Sequence, residues 1–549
     1  MKLSMIYYST MFAVVTVGTA LLSRAALPVP DADNGGLELP AGFRALLVAD
    51  HLIDGRKVGN SGDQLRFLTV APNGDLYAKT FSGGIFALHD SHGDGRFDVK
   101  REFGSGGGTG IALRGNWLYY STNTGVYRYP YTAGELVPAG EPQLIVGGLE
   151  DRGTHNAKSF AFDDQGRLLV EIGSPVNVLA EHDGERGAKG LDATEFLKTH
   201  GGFWRFDPDK PNQTFADGYH FSTGHRHSLA LAWQPVAKEF FMAMMGRDRL
   251  NDVAPDFYDA LDNAERVSEE MHRLREGVNL GWPYTYWDPI KKARMIAPEF
   301  GGDNRKRAEV GKYDEPVIGF PAHWAPLQMA FYTATQFPAR YRNGAFIAFH
   351  GSWNRAPMPQ EGYNITFVPF DDKGTPLGSF EVFARNLRGK KFRMGGVAVG
   401  PDGSLYVSET DQGRVWRIFY TGDNAPSAMT ASVLETGATH IINTPNSPGK
   451  VVFEQICATC HMVDGSGAGQ MQPALVGSGV VKGDPTQIIR VVLNSPAAVL
   501  PADRPKYVNV MPAFSTLSNE QIADVLTYVR QYFGNGASKI TADQVAAQR

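Results

Sequence analysis

Two cysteines stand three positions apart and a histidine follows at once, in the run Cys457-Ala-Thr-Cys460-His461. Two thiols at this spacing can add to the two vinyl groups of one porphyrin, and the adjoining imidazole can then reach the iron from the same turn of helix. The run therefore predicts covalently bound haem c, with Cys457 and Cys460 as the attachment sites and His461 as an iron ligand. The alternatives are a redox CxxC or half of a zinc site. Zinc needs two further ligands at matching spacing, which this segment lacks. The chain has only 2 cysteines, so no disulfide competes for them.

The elements around this run must hold a flat macrocycle. A helix carrying Val452 and Phe453 leads into it, and Pro473 and Leu475 follow in the loop expected beneath the ring. Ser518 to Gln521 reads as a capping box. Ile522, Val525, Leu526 and Val529 then recur at helical spacing. A methionine toward the C-terminus would complete the iron: Met511, in VMPAF, is favoured. Met471 is a rival, and Met462 adjoins His461 and cannot reach the opposite face. His/Met ligation raises the potential and suits electron acceptance. Residues 450–534 resemble a class I cytochrome c, a small all-α domain. The polar stretch 535–549 reads as a flexible tail.

Upstream, one unit recurs six times: an apolar strand, a polar bend, a second apolar strand. The copies begin at Leu68, Ile111, Phe160, Leu229, Met329 and Val397. Bends such as Asn-Gly and Asp-Gly suit hairpins. Recurrence at irregular intervals predicts an all-β, six-bladed β-propeller over 39–420, with widened loops on one face; a large β-sandwich is the alternative. Asp259 to Arg275 reads as mostly helical. Residues 421–449, rich in Ala, Thr, Ser, Asn and Pro, read as a linker.

Residues 1–25 have the layout of a cleavable signal peptide, with Lys2, an apolar stretch from Met11 to Leu22, and Ser23-Arg24-Ala25. Together with haem attachment, which occurs outside the bacterial cytoplasm, this predicts the periplasm. No later stretch is apolar enough to span a bilayer, so no transmembrane anchor is expected in the mature chain. A net charge of −5 without a basic stripe excludes nucleic acid as an obvious partner. No GxGxxG opens a βαβ unit, so nicotinamide and flavin folds lack support.

Four motifs carry a family resemblance: GHRHSLALAW from Gly224, NLGWP from Asn279, HGSWNR from His350, and GPDGSLYVSE from Gly400. With the hairpins, they resemble the soluble glucose and sorbosone dehydrogenases. These are six-bladed quinoproteins that use pyrroloquinoline quinone (PQQ) and calcium. With the haem domain, the chain looks like their quinohaemoprotein branch. The resemblance implies a dehydrogenase acting on a sugar or on an aldehyde or alcohol, with electrons passing to haem and then to an external acceptor. It implies His155 as catalytic base and Arg226 against the quinone. His227, Asn354, Arg355, Lys391 and Arg393 are further PQQ contacts, Gln64 and Arg66 would line the substrate pocket, and Gly246 and Arg247 would offer carbonyls to calcium. A solvated charge cluster (Arg388, Lys390, Lys391, Arg393) is the alternative for the basic pair. Asp90 to Asp98 resembles part of a calcium loop but lacks its twelfth-position Glu, and reads as a hairpin turn.

Two positions depart from the glucose-dehydrogenase pattern: His227 replaces an asparagine, and Ser174 replaces an aspartate that would orient the base. Both put glucose in question as the substrate. Two other readings compete: an electron-carrier cytochrome whose propeller docks a partner, and a calcium-dependent lactonase-like hydrolase.

Overall fold

The computed structural model describes residues 27–58, 61–387, 392–422, 447–468, 471–533 and 535–549. The expected signal peptide, most of the linker and Lys391 lie outside the described residues.

Six sheets of antiparallel strands form six blades of a propeller. The first two strands of every blade are one of the hairpins legible in the sequence. Leu65–Val70 pairs with Leu76–Thr80 in the first blade, and Met394–Val399 with Leu405–Glu409 in the last. Buried β-branched and aromatic side chains fill the layers between neighbouring blades. The ring closes through the N-terminal strand Phe43–Ala49, which pairs with Val415–Tyr420 as the outer strand of the last blade. This joint ties the two ends of the domain together by backbone hydrogen bonds. Gln328 bonds to the first strands of two other blades. Its amide accepts from Leu68 N (2.8 Å) and Val397 N (3.0 Å) and donates to Leu68 O (2.8 Å), linking three blades.

Asp259 to Arg275 is not mostly helical. A helix covers Ala260–Glu265, capped by Asp259, but Glu269–Leu274 is the third strand of the fourth blade. The local pattern favours a helix, and sheet pairing on both sides overrides it.

In the C-terminal domain, Pro448–Val452, Phe453–Cys457 and Ala458–His461 form one continuous helical run. It packs on Asn519–Gln531, whose Ser518/Gln521 capping box is present. A Cβ on Gly449 would stand 2.0 Å from Asp524 O, so only glycine permits this crossing. Ile522, Val525, Leu526 and Val529 are buried, as their spacing predicts. The tail differs from expectation. Ala542–Ala546 is helical behind a Thr541 capping box, and Ile540 and Val545 are buried in the domain core. Two apolar residues and a cap anchor it despite its polar composition. Among the described residues no helix is long and apolar enough to cross a membrane.

Candidate active site and haem site

The first strands of the blades line the channel in a common direction, so the residues just ahead of them gather on one rim. His155 precedes Phe160–Phe162, Arg226 precedes Ala230–Gln234, His323 precedes Pro326–Phe331, and Arg393 precedes Met394–Val399. The loops that follow the second strands return to the same rim; these are 173–201, 245–268 and 350–363. Function-bearing residues far apart in sequence meet there.

His155 Nδ1 lies 2.5 Å from the carbonyl oxygen of Ser174. That contact requires a proton on Nδ1 and leaves Nε2 with its lone pair, the form a general base needs. The Ser174 side chain turns away to bond Val176. Orientation expected from an aspartate side chain is thus supplied by the backbone of the residue that replaced it. His227 stacks on His155 with ring centroids 4.8 Å apart. Its Nδ1 lies 3.1 Å from the buried carboxylate of Glu171. His227, expected to touch the cofactor, is engaged here by the His155 ring and by Glu171. Burial, with Arg226 and His227 alongside, holds the His155 imidazole well below its ordinary range. Buried Glu171 is pulled down to about 2 because the pull of His227 and His225 outweighs its desolvation.

Arg226 donates to Gly246 O (2.9 Å) and to Asp248 Oδ2 (2.5 Å). His323 Nδ1 lies 3.4 Å from the other oxygen of Asp248. Two oxygen acceptors, one carbonyl and one carboxylate, therefore converge on a single cation, here the guanidinium. That chemistry fits hard-cation ligation at Gly246, with Asp248 as a partner the sequence reading missed. The Arg247 side chain is locked in a buried pair with Glu299 (2.5 Å), so only its backbone is available to a ligand. Among the described residues no group of three or more His, Cys, Asp or Glu side chains is placed to hold a metal.

A second cluster is cationic. Arg66 and Arg393 both act on His350, and with burial they depress its imidazole well below normal. Burial lowers the Arg66 guanidinium to about 10, and Arg393 adds to this against the opposing pull of Asp411. Arg66 donates to Gln64 Oε1, and Arg393 faces Asp411 at 3.7 Å. The buried Nε atoms of Arg66 and Arg226 have no hydrogen-bond partner among the described residues. Buried, under-neutralised guanidinium groups with free donors suit a planar polycarboxylate such as PQQ. Gln64 and Arg66, expected at the substrate pocket, are bonded to each other, and Arg66 lies within the electrostatic reach of Arg393 and His350. His350 was overlooked although it begins the HGSWNR motif.

Arg355 was expected to touch the cofactor. Its guanidinium is spent on Pro359 O (3.0 Å), Ala264 O (3.3 Å), Ala322 O (3.4 Å) and Glu361 (2.9 Å), so it braces its own loop. Asn354 sits in the same turn, where its carbonyl accepts from Asn263 at 3.2 Å.

In the helical domain, His461 Nδ1 donates to Pro473 O at 2.9 Å, fixing the tautomer that presents Nε2 to a metal. Both cysteines are free. Burial raises both thiols, Cys457 to about 12, the reverse of the depressed thiol a redox CxxC needs. Asn509 N donates to Met471 O at 3.1 Å, which ties the segment just ahead of Met511 to the segment that carries Met471.

A six-bladed propeller with a basic rim, joined to a CxxCH helical domain, defines a fusion of a quinoprotein-type propeller with a c-type cytochrome. The chain belongs to the TrAA12-like family, whose model matches residues 54–421, and a Cytochrome c model matches residues 447–532. The holo PQQ domain of pyranose dehydrogenase from Coprinopsis cinerea superposes with a TM-score of 0.55 at 18% identity, covering 70% of this chain and 97% of that one. A calcium structure of Trichoderma reesei Carbohydrate-Active Enzymes Family AA12 gives 0.56 at 18%, covering 72% and 99%. These likenesses show the fold. The cytochrome c subunit of a quinone alcohol dehydrogenase from Gluconacetobacter polyoxogenes is 38% identical over 133 residues, which is 23% of this chain and 27% of that protein. The chain spans about half the length, or less, of the curated relatives it matches.

Proposed function

We propose that the protein is a periplasmic quinohaemoprotein dehydrogenase that oxidises a sugar, or a related aldehyde or alcohol, and delivers the electrons through its own haem to an external acceptor. The observation that carries this reading is the pairing, on one rim, of an oriented neutral base with an under-neutralised cationic cradle. A CxxCH domain on the same chain supports it. PQQ, when bound, supplies the acceptor for the two electrons that leave the substrate carbon as hydride. Arg66, Arg393 and His350 would hold its carboxylates. Arg226 would lie against the quinone oxygens, where a fixed positive charge stabilises developing negative charge. Calcium would take Gly246 O and the Asp248 carboxylate, the oxygens that now face Arg226. His155 Nε2 takes the substrate hydroxyl proton. Its depressed basicity keeps it unprotonated near neutral pH, and Ser174 O stops it turning. A pyrroloquinoline quinone-dependent pyranose dehydrogenase among the relatives agrees with a sugar substrate, and the cytochrome c subunit of a quinone alcohol dehydrogenase agrees with the haem domain's part.

The test is haem reduction in purified protein supplied with PQQ and calcium, followed in the reduced-haem α band across aldoses, ketoaldoses and simple alcohols. Reduction that requires PQQ and one substrate class, and is lost in His155→Ala, supports the reading. Failure with every donor, in protein whose haem dithionite still reduces, overturns it.

A further inference from the structure

The loop 350–363 of the fifth blade has its two ends at the cationic cradle and its tip on the haem domain. At one end His350 lies under the influence of Arg66 and Arg393, with Nε2 3.2 Å from Thr410 Oγ1. At the other, the ring of Tyr363 faces the Arg393 guanidinium at 5.7 Å. At the tip, Pro357 O accepts a hydrogen bond of 2.8 Å from Val463 N–H. Val463 is two residues beyond His461, in the turn that leaves the haem-attachment helix. Asp464, the next residue, adds its negative charge to the field at the Tyr363 hydroxyl.

The loop is braced along its length. Arg355 ties it to Pro359 O, Ala264 O, Ala322 O and Glu361. Gln360 donates to Ser352 O at 2.8 Å, and Tyr363 donates to Gln360 Oε1 at 2.9 Å. Met358 N donates to Arg355 O at 3.0 Å. Such a chain of buried bonds makes a surface loop stiff.

We propose that loop 350–363 is the seat on which the haem domain docks for electron transfer from the propeller, with Pro357 O and Val463 N–H as its central contact and Arg355 as its brace. The proposal rests on the dehydrogenase reading above. Oxidation of one substrate hydroxyl to a carbonyl releases two protons and two electrons. The electrons cross singly, each reducing one ferric haem to ferrous, and the haem is reoxidised between crossings by the external one-electron acceptor. The protons leave to solvent. Docking by the segment that follows the axial histidine fixes the haem edge relative to the cradle, so the crossing needs no search by a domain on a linker.

The experiment separates the two half-reactions in the full-length protein loaded with PQQ. Dye-linked turnover with a small-molecule acceptor reports the propeller alone, and stopped-flow growth of the α band reports transfer to haem. Val463→Pro removes the donor from the haem side, and Arg355→Ala loosens the seat from the propeller side. Loss of one hydrogen bond of ordinary strength lowers the docking equilibrium constant roughly fivefold, and the docked population by as much where docking is the minor state. Haem reduction should therefore slow about fivefold while dye-linked turnover holds within about twofold. Hydrogen exchange supplies a readout independent of turnover: amides at 462–466 should be protected in the parent protein and exposed in Arg355→Ala. Unchanged haem reduction in both variants, or equal exchange at 462–466, overturns the docking proposal. So does a parallel fall of both rates in the two variants. Absence of dye-linked turnover in the parent protein counts against the dehydrogenase reading, and the exchange result then decides the docking alone.

Discussion

Replacing Asp248 by asparagine keeps the shape of the rim and removes one charge. Asp248 is the ion partner of Arg226 at 2.5 Å, and the two side chains are 17% and 9% exposed. Arg226, His323 and His155 together hold the Asp248 carboxyl far below the ordinary carboxylate range in spite of its burial. Removing one partner of a buried pair costs about 3–5 kcal/mol, and some solvent at Asp248 argues for about 3. Unfolding entropy is about 2.1 cal/mol/K per residue, so roughly 370 propeller residues convert that to a fall of about 4 °C in melting temperature. Tryptophan fluorescence follows the propeller melt separately from the haem bands. The same substitution acts on the base. Asp248 raises the His155 imidazole and Arg226 lowers it. Without the carboxylate the depression deepens, and the acid limb of the pH–rate profile moves to lower pH. Binding of an anionic quinone beside Arg226 should restore part of the lost stability. An unchanged melting temperature, or an acid limb that moves upward, would refute the argument that this pair sets the electrostatics of the rim.

Met511→Ala should abolish the far-red methionine–ferric haem band and lower the haem potential, while Met471→Ala leaves both in place; the opposite pattern would identify Met471 as the ligand. Burial raises the Glu269 carboxyl to about 7 from 4.5, although it accepts from Ala325 N and Gly246 N. The folded state therefore binds the extra proton, and its contribution to stability is present below pH 4.5 and lost as pH rises through about 7. The loss is at most about 3 kcal/mol. Glu269→Gln should flatten the slope of stability between pH 5 and 7, which urea titrations at several pH values would measure.

The haem site and the six hairpins were legible because they are local. Cys457, Cys460 and His461 occupy one helical turn, so spacing alone dictates that they meet one ring. Each hairpin is set by alternating apolar residues around a polar bend, with no help from distant chain. The helix Asn519–Gln531 declares itself the same way, through its cap and its apolar stripe. The rim is different. His155, His350 and Arg393 come from three different blades and Arg226 and Asp248 from a fourth, and closure of the ring by Phe43–Ala49 against Val415–Tyr420 holds their blades in one circle. Backbone oxygens also do work that leaves no mark in a sequence. Ser174 O orients the His155 ring, and Gly246 O and Asp248 share one guanidinium. Arg355, which the motif suggested for the cofactor, is claimed by carbonyls and by Glu361. Residue types and spacings thus determined the haem chemistry, the blades and most of the polar residues near the cradle. Which of those side chains remain free for a ligand was decided by tertiary structure, because a donor's availability depends on the acceptors that folding places around it.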